Sequence, residues 1–325
     1  MNLTNKTIIV TGGAGFLGSH VVDILHAKGC NNIVVPRSKI CDLTNECDVS
    51  NLFKAVDPDI IIHMAATVGG IGINREKPGT FYYKNLMMGT LLIEHAKRHG
   101  VEKFVTIGTI CAYPNLTPIP FKEEDLWNGY PEATNAPYGI AKKALLVQSQ
   151  AYRDEFNFNG IYLLPVNLYG PKDNFNPKSS HVIPALIKKC LDANDNKEDI
   201  VVWGTGNATR EFIYVEDAAK AIVLATEKYN KSGPINIGSG MEISIKNLVN
   251  LIAKLTKFKG SIQWDDSYPD GQPRRMLDTT KASTEFGFVA NTNFEKGLKK
   301  TIEWYQKNHR IVQKIVKWET KQYDS

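Results

Sequence analysis

Five side chains have the types and the spacing needed to act on a carbonyl group: Thr109, Cys111, Tyr138, Lys142 and His181. Tyr138 and Lys142 are four residues apart, which places both on one face of a predicted helix. We expect the lysine to favour the phenolate and to lower the pKa of the phenol from its ordinary ~10. Such a phenol can exchange a proton with a substrate oxygen, and Thr109 can hydrogen-bond to the same oxygen. This set therefore predicts reduction of a carbonyl by hydride transfer.

Cys111 and His181 form a second acid/base pair that simple reduction does not need, so they predict a second reaction at the same centre. Alternation along a strand would place Thr109 and Cys111 on one face, towards the substrate. Taken singly, a cysteine after a strand is most often a packed core residue. The histidine alone could likewise make a purely structural bond. The motifs that surround both residues favour catalysis.

A glycine-rich turn, residues 11–18, follows the first predicted strand and opens the first predicted helix. Gly12, Gly15 and Gly18 permit a tight turn, close backbone approach to a pyrophosphate and close helix–strand packing. The phosphates would lie at the helix N-terminus, beside Phe16 and Leu17. Glycines alone could form a structural turn, but this context predicts dinucleotide binding.

The end of the second predicted strand indicates which dinucleotide binds. NAD-binding proteins usually place an acid there, to bond the ribose 2′-hydroxyl. This chain instead has Arg37, Ser38 and Lys39, and cations suit a 2′-phosphate, which predicts NADP. The alternative is a solvated surface arginine and lysine. Asp42 could cap the next segment or contact the adenine amino group.

Strand-like and helical patterns alternate through the first half of the chain. The predicted strands are 7–10, 32–35, 60–63, 103–107 and 160–165, and the predicted helices are 17–28, 49–55, 80–99 and 138–156. This alternation predicts an α/β fold, a Rossmann-type doubly wound parallel sheet with helices on both faces.

The pattern breaks after residue 170 and predicts a smaller, discontinuous C-terminal substrate domain. A helix at 182–193 and a strand at 200–203 are expected there, whereas a strand at 210–215 and a helix at 218–228 look like a return to the first domain. We predict an NADP-binding domain of residues 1–170 plus about 210–237. The substrate domain would comprise about 171–209 plus 238–310, and 311–325 would be a charged tail.

Composition limits the possible classes of protein. The 325 residues carry a net charge of +5 without a dense basic run, which suits an anionic small molecule better than nucleic acid. No apolar run approaches the ~20 residues of a membrane span. The five cysteines show no CxxC spacing, so neither disulfides nor a metal site is expected. The early first strand leaves no room for a secretory signal, so we expect a cytoplasmic protein.

The glycine turn, the threonine after the fourth strand and the Tyr-x-x-x-Lys pair together resemble the extended short-chain dehydrogenase/reductase family over nearly the whole chain. Longer motifs resemble its GDP-L-fucose synthases, at residues 63–71, 111–114, 135–142, 167–175 and 180–186. The resemblance implies that Tyr138 is the acid of the reduction and that Lys142 activates it and binds the ribose. Thr109 stands where many members carry serine, and Cys111 and His181 match the epimerisation pair.

The resemblance also implies two sets of binding residues. The cofactor would contact Gly12, Gly15, Phe16, Leu17, Gly18, Arg37, Ser38, Lys39, Asp42, Ala65, Ile107, Lys142, Pro165, Asn167, Leu168 and His181. The nucleotide sugar would contact Lys189, Trp203, Arg210, Asp270 and Arg275. Trp203 could alternatively be an aromatic that fills the domain junction. A homodimer through the helices near 80–99 and 138–156 is implied as well.

The activity that the resemblance implies is NADPH-dependent 3,5-epimerisation and 4-reduction of GDP-4-keto-6-deoxy-D-mannose to GDP-L-fucose. One alternative is a C4 reductase of a related GDP-4-keto sugar that epimerises one centre or none. Another is a UDP-sugar 4-epimerase with retained NAD, and a third is a non-catalytic NADP-sensing scaffold. Cys111 and His181 oppose only the form of the first alternative that epimerises no centre. Arg37 and the absent acid oppose the second alternative, and the complete catalytic set opposes the third.

Overall fold

The computed structural model describes residues 1–268 and 270–323, with side chains other than those of Ile71 and of residues 309–323. The strands are β1 (Ile8–Thr11), β2 (Ile33–Val34), β3 (Ile60–His63), β4 (Lys103–Ile107), β5 (Gly160–Pro165), β6 (Asn167–Tyr169), β7 (Ile200–Trp203), β8 (Thr209–Tyr214), β9 (Ile235–Ile237), β10 (Glu242–Ser244), β11 (Ile262–Asp265) and β12 (Arg274–Arg275). The helices are α1 (Phe16–Ala27), α2 (Glu46–Val56), α3 (Ile71–Glu76), α4 (Pro78–Arg98), α5 (Ala136–Phe156), α6 (Val182–Asn196), α7 (Val215–Lys228), α8 (Ile245–Thr256), α9 (Thr280–Phe286) and α10 (Phe294–Tyr323).

A parallel sheet in the order β2-β1-β3-β4-β5-β9 forms the larger part of the molecule. Every residue of β1, β3 and β4 is buried, because helices cover both faces of a parallel sheet. Helix α1 packs against α7, whereas α4 packs against α2 and α5. The predicted doubly wound α/β fold is confirmed.

The order of the strands creates a crevice beside β1. The chain runs from β1 to β2 on one side and then returns to place β3 on the other side. Ligands of open α/β sheets bind at the carboxyl ends of the strands at such a reversal. The glycine-rich turn after β1 and the segment after β3 both lie at this position.

A second, smaller unit contains β10-β8-β12, with β6 also paired to β8, and the separate pair β7 and β11. Its hydrophobic core is formed by residues that include Tyr169, Phe175, Phe212, Leu248 and Leu298. This core packs between α6, α8 and α10. The division of the chain into two domains at the stated boundaries stays a prediction.

Strand β8 differs from expectation, because it joins the small sheet instead of returning to the large one. Phe212 and Tyr214 lie in the smaller core, and Ile213 between them lies in the larger core. The two faces of the strand thus serve different cores. The chain returns to the large sheet only with α7 and β9, which pairs with β5.

The predicted charged tail, 311–325, continues α10 as far as Tyr323. Its side chains and residues 324–325 lie outside the described part of the chain. Among the described residues, no helix combines the length and the apolar character needed to cross a membrane.

Candidate active site

A cavity of about 1410 Å³ extends from the glycine-rich turn to the small sheet. Every residue predicted for catalysis, cofactor binding or substrate binding lines it, with the single exception of Lys39. The chain turns at that point, because the carbonyl oxygen of Arg37 accepts hydrogen bonds from the N–H groups of Ile40 and Cys41. All three residues of this turn, Arg37, Ser38 and Lys39, are exposed, but only Arg37 and Ser38 line the cavity.

The glycine-rich turn fits a pyrophosphate because backbone atoms approach one another closely. Gly12 has a φ of +71°, and a Cβ there would lie 2.7 Å from the nitrogen of Ala65. A Cβ on Gly18 would lie 2.1 Å from the oxygen of Gly12. Gly15 precedes α1 and provides no side-chain cap, so the N–H groups of the first helical turn remain available to an anion. The residues present therefore fit a dinucleotide.

Asp42 caps the turn that follows it and not helix α2. Its carboxylate accepts hydrogen bonds from the N–H of Thr44 at 2.9 Å and from the hydroxyl of Thr44 at 2.7 Å. These bonds hold the pKa of Asp42 below its ordinary value. Asn45 caps α2 instead, through bonds from the N–H groups of Cys47 and Asp48. Contact of Asp42 with adenine stays a prediction.

Thr109 and Cys111 reach the cavity from a 3₁₀ turn and not from a strand. Strand β4 ends at Ile107, and a 3₁₀ helix covers Ile110–Ala112. The hydroxyl oxygen of Thr109 accepts a hydrogen bond from the N–H of Cys111 at 3.1 Å. The prediction that strand alternation aligns the two side chains was therefore wrong, because the extended chain ends at Thr109 and Cys111 lies within the 3₁₀ helix that follows.

Helix α5 brings Tyr138 against this turn. A Cβ on Gly139 would lie 2.5 Å from the oxygen of Cys111, so the glycine allows the helix to approach the turn closely. The Thr109 hydroxyl lies close enough to the Tyr138 phenol to lower the pKa of that phenol. Lys142 lies one helical turn further on and is 2% exposed. The hydroxyl of Tyr162 donates to the carbonyl oxygen of Lys142 at 2.9 Å, which fixes this turn of the helix to β5.

The expected lowering of the pKa of Tyr138 was wrong. Burial raises the pKa of this phenol, the charge of a Cys111 thiolate raises it further, and the Thr109 hydrogen bond opposes both effects. Burial also lowers the pKa of Lys142 to about 8. Burial is the largest of these effects on the phenol, and Tyr138 is protonated at neutral pH. That protonation state suits a proton donor.

His181 lies at the N-terminus of α6 and lines the same cavity as Cys111. Its side chain is accessible within the cavity, yet protein atoms surround it and their desolvation lowers its pKa. The imidazole is therefore neutral at neutral pH. A neutral imidazole has one nitrogen that accepts a proton and one that donates, so it can act in either direction.

Charged groups line the end of the cavity formed by the small unit. Burial lowers the pKa of Arg210 to about 10, and the charge of Arg275 contributes to the same effect. Lys189 donates to the carbonyl oxygen of Val201 at 2.7 Å. Asp270 accepts hydrogen bonds from the N–H of Thr205 at 2.7 Å and from its hydroxyl at 2.5 Å. Cations at this end suit a diphosphate.

Trp203 does not fill the domain junction, so that alternative was wrong. The indole is 64% exposed and stacks on Tyr268, with 4.3 Å between ring centroids and 6° between ring planes. Both residues line the cavity. Gln272 also lines the cavity. The sequence analysis predicted neither Tyr268 nor Gln272 as a site residue. The one feature of the sequence that could have indicated them is their position two residues before and two residues after Asp270, in a segment that forms turns.

The fold and the cavity together define a nicotinamide-dependent oxidoreductase or epimerase of the short-chain type. The model of the NAD dependent epimerase/dehydratase family matches residues 8–238, and the chain belongs to that family. The GDP-L-fucose synthase 1 of Arabidopsis thaliana is 40% identical over 309 residues, which cover 95% of this chain and 95% of that protein. The GDP-L-fucose synthase of Escherichia coli (strain K12) is 34% identical over 316 residues, 94% of this chain and 98% of that protein.

A solved structure supports the same relationship. The crystal structure of a GDP-L-fucose synthetase from Naegleria fowleri bound to NADP has a TM-score of 0.88 and 30% identity, and covers 94% of this chain and 94% of that chain. The predicted resemblance to GDP-L-fucose synthases within the extended short-chain dehydrogenase/reductases is thereby confirmed.

Proposed function

We propose that this protein catalyses NADPH-dependent 3,5-epimerisation and 4-reduction of GDP-4-keto-6-deoxy-D-mannose to GDP-L-fucose. The observation that carries the proposal is the meeting of two sets of side chains in one cavity. Thr109, Tyr138 and Lys142 form the reductase set, and Cys111 and His181 form the additional acid/base pair. The names of the relatives support the choice of sugar nucleotide.

Epimerisation requires groups that move protons to and from carbon. In a 4-keto sugar, C3 and C5 are both next to the carbonyl, so both carry acidified protons. Cys111 and His181 would remove and return these protons on opposite faces of the ring. Thr109 and Tyr138 would hydrogen-bond to the ketone oxygen and stabilise the enolate that forms.

Reduction requires a proton donor at the same oxygen. When bound, NADPH supplies hydride for C4. Tyr138 then donates its proton to the C4 oxygen, which it can do at neutral pH because burial keeps the phenol protonated. Lys142 is buried beneath it and would bind the ribose hydroxyls of the cofactor. Pro165, Asn167 and Leu168 would lie against the nicotinamide.

The choice of NADPH over NADH rests on the residues after β2. Arg37 and Ser38 line the cavity beyond the glycine-rich turn, and they offer a cation and a hydroxyl to a 2′-phosphate. An acid that would bond a free 2′-hydroxyl is missing from the segment 34–39 of the sequence. The related Naegleria fowleri structure is bound to NADP, which supports the same choice.

The diphosphate of the substrate would lie between Lys189, Arg210 and Arg275, and the guanine would lie near Trp203 and Asp270. These roles follow from their common position at one end of the cavity. We further propose a cytoplasmic homodimer that pairs through α4 and α5.

Incubation with GDP-4-keto-6-deoxy-D-mannose and NADPH, followed by NMR of the product, tests the proposal. We expect GDP-L-fucose and oxidation of one NADPH for each product molecule. A reduced product that retains the original configuration at C3 or C5 would indicate the C4 reductase instead. Conversion of UDP-glucose to UDP-galactose with no net NADPH consumption would indicate the UDP-sugar 4-epimerase.

A further inference from the structure

The side-chain amide of Gln272 connects two parts of the cavity wall. Its Oε1 accepts a hydrogen bond from Nε of Arg275 at 2.5 Å, and its Nε2 donates to the carbonyl oxygen of Asn115 at 2.6 Å. The N–H of Asn115 donates in turn to the carbonyl oxygen of Tyr130 at 3.0 Å. Gln272 and Arg275 both line the cavity. The amide therefore joins a cation of the cavity to the loop that follows the 3₁₀ helix after β4.

The partners of this amide permit only one of its two orientations. The Nε of Arg275 can only donate a hydrogen bond, and the carbonyl oxygen of Asn115 can only accept one. A reversed amide would set N–H against N–H on one side and oxygen against oxygen on the other. The backbone thus determines the orientation of the Gln272 amide, and the amide limits the directions that the guanidinium can take.

Two further groups act on the guanidinium of Arg275. Its Nη1 donates towards Cys111 Sγ at 3.8 Å. Glu132 lines the cavity as well, and although burial raises the pKa of its carboxyl, hydrogen bonds from Thr134 and Asn135 and the charge of Arg275 bring that pKa below its ordinary value. The ionised carboxylate attracts the guanidinium. Without Gln272, the arginine would be free to turn towards Glu132, and that pairing would compete with a bound anion.

Arg275 differs from the other two cations at this end of the cavity in the donors that it leaves to a ligand. Nη1 and Nη2 of Arg210 donate to backbone carbonyl oxygens at 2.7 Å and 3.2 Å, and Nζ of Lys189 donates to another at 2.7 Å. Within residues 1–268 and 270–323, no group accepts a hydrogen bond from Nη2 of Arg275. Both N–H groups of that nitrogen can therefore bind an anion in the cavity.

We propose that Gln272 is a positioning residue that holds the guanidinium of Arg275 ready for the diphosphate of the nucleotide sugar. The inference rests on the proposed function, which assigns Arg275 to that diphosphate. The hydrogen bond at Nε restricts the guanidinium before the ligand arrives, so binding loses less free energy in ordering a flexible side chain. The same bond keeps the cation from pairing with Glu132.

The test is calorimetric titration of the protein with GDP, which requires no turnover. Gln272→Met has a side chain of similar length and flexibility but removes both hydrogen bonds. Ordering one long side chain corresponds to about three- to tenfold in affinity, so the Kd for GDP should rise by that factor. Arg275→Ala, which removes a charged hydrogen-bond donor, should raise it by about tenfold or more. Gln263→Met is the matched control, because Gln263 is exposed in β11 and does not line the cavity.

A double variant separates positioning of the arginine from a merely structural role of the loop. In the Arg275→Ala background, Gln272→Met should cause no further loss of GDP affinity, because the guanidinium that it positions is absent. A structural role would weaken binding by the same factor in both backgrounds. That result, or a Kd of Gln272→Met within twofold of the unaltered protein, would overturn the proposal.

Gln272→Asn keeps the test decisive if Gln272→Met does not fold. It retains the amide but is one methylene shorter, so it cannot reach both partners and should also raise the Kd at least about threefold. GDP binding as tight as in the unaltered protein would overturn the positioning role and leave the proposed function intact. Failure of the unaltered protein to bind GDP would instead contradict the proposed function, and the positioning role with it.

Discussion

Replacement of Cys111 by serine separates an epimerase–reductase from a plain reductase. The substitution changes one atom and leaves the local structure in place. The hydrogen bond that fixes the turn joins the backbone N–H of Cys111 to Thr109 and does not involve the thiol. The thiol itself interacts with the guanidinium of Arg275 at 3.8 Å, and the variant replaces that sulfur by a hydroxyl. We therefore expect the variant to fold and to bind NADPH as the unaltered protein does.

The expected effect follows from the chemistry that the side chain provides. A serine hydroxyl ionises far less readily than a thiol, and a positioned general acid or base typically contributes 10²–10⁴-fold, so exchange of the C3 and C5 protons should slow by roughly that factor. The hydride-transfer set of Thr109, Tyr138 and Lys142 is unchanged. Slow reduction of the keto sugar before epimerisation is therefore expected in the Cys111→Ser variant.

The assay is deuterium incorporation from heavy water into product, followed by NMR at both carbons. Cys47→Ser is the matched control, because Cys47 is exposed in α2 and does not line the cavity. His181→Ala should also depress epimerisation, but with a different mixture of residual products. If Cys111→Ser incorporates deuterium at both positions at the unaltered rate, the assigned acid/base pair is wrong and Cys111 is a packing residue.

Four further perturbations test other parts of the site. Tyr138→Phe should lower reduction by ~10²-fold or more with little change in NADPH binding, and near-normal NADPH oxidation would exclude Tyr138 as the proton donor. Arg37→Ala should weaken NADPH binding by about 1.5–3 kcal/mol and leave NADH binding almost unchanged, and an equal effect in titrations of both cofactors would contradict the assignment. Gly18→Ala places a Cβ 2.1 Å from a backbone oxygen and should lower the free energy of unfolding by about 1–3 kcal/mol in urea titrations, whereas Gly79→Ala, with open space, should not. Burial raises the pKa of Asp173 to about 8, so the native carboxyl holds a proton that the unfolded one loses, and stability should fall as pH rises through that value. Asp173→Asn should reduce this fall by about 1 kcal/mol per pH unit in unfolding titrations between about pH 5 and about pH 8, and equal falls in both proteins would refute the reasoning.

The central strands were predictable because each is a continuous apolar run that helices cover on both faces. Residues 60–63, 103–107 and 160–165 were predicted as strands and form β3, β4 and β5 with those bounds. Strand β8 was misassigned because adjacent side chains of the strand face different cores. Alternation within a strand does not reveal which sheet the strand will join.

The composition of the candidate site was predictable from motifs, but its geometry was not. Tyr138 and Lys142 lie four residues apart in one helix, so the sequence alone is enough to predict that their side chains share a face of that helix. Their pKa values depend on burial by the rest of the fold, which reversed the direction expected for the phenol. The contact between Arg275 and Cys111 depends on the packing of two units, and no local pattern indicates it.

The buried carboxylate of Glu211 explains how the two units can present one catalytic centre. Glu211 lies in β8 and is 0% exposed. Its Oε1 accepts hydrogen bonds from the N–H groups of Ser239 at 2.6 Å and Gly240 at 2.8 Å, and its Oε2 accepts one from Leu277 at 2.7 Å. Ser239 follows β9 of the large sheet, and Leu277 follows the segment that contains Arg275. One side chain therefore ties the end of the large sheet to the strand that directs a guanidinium at Cys111. A shift of that strand by one residue would move Arg275 away from the thiol, because neighbouring strand residues point to opposite faces.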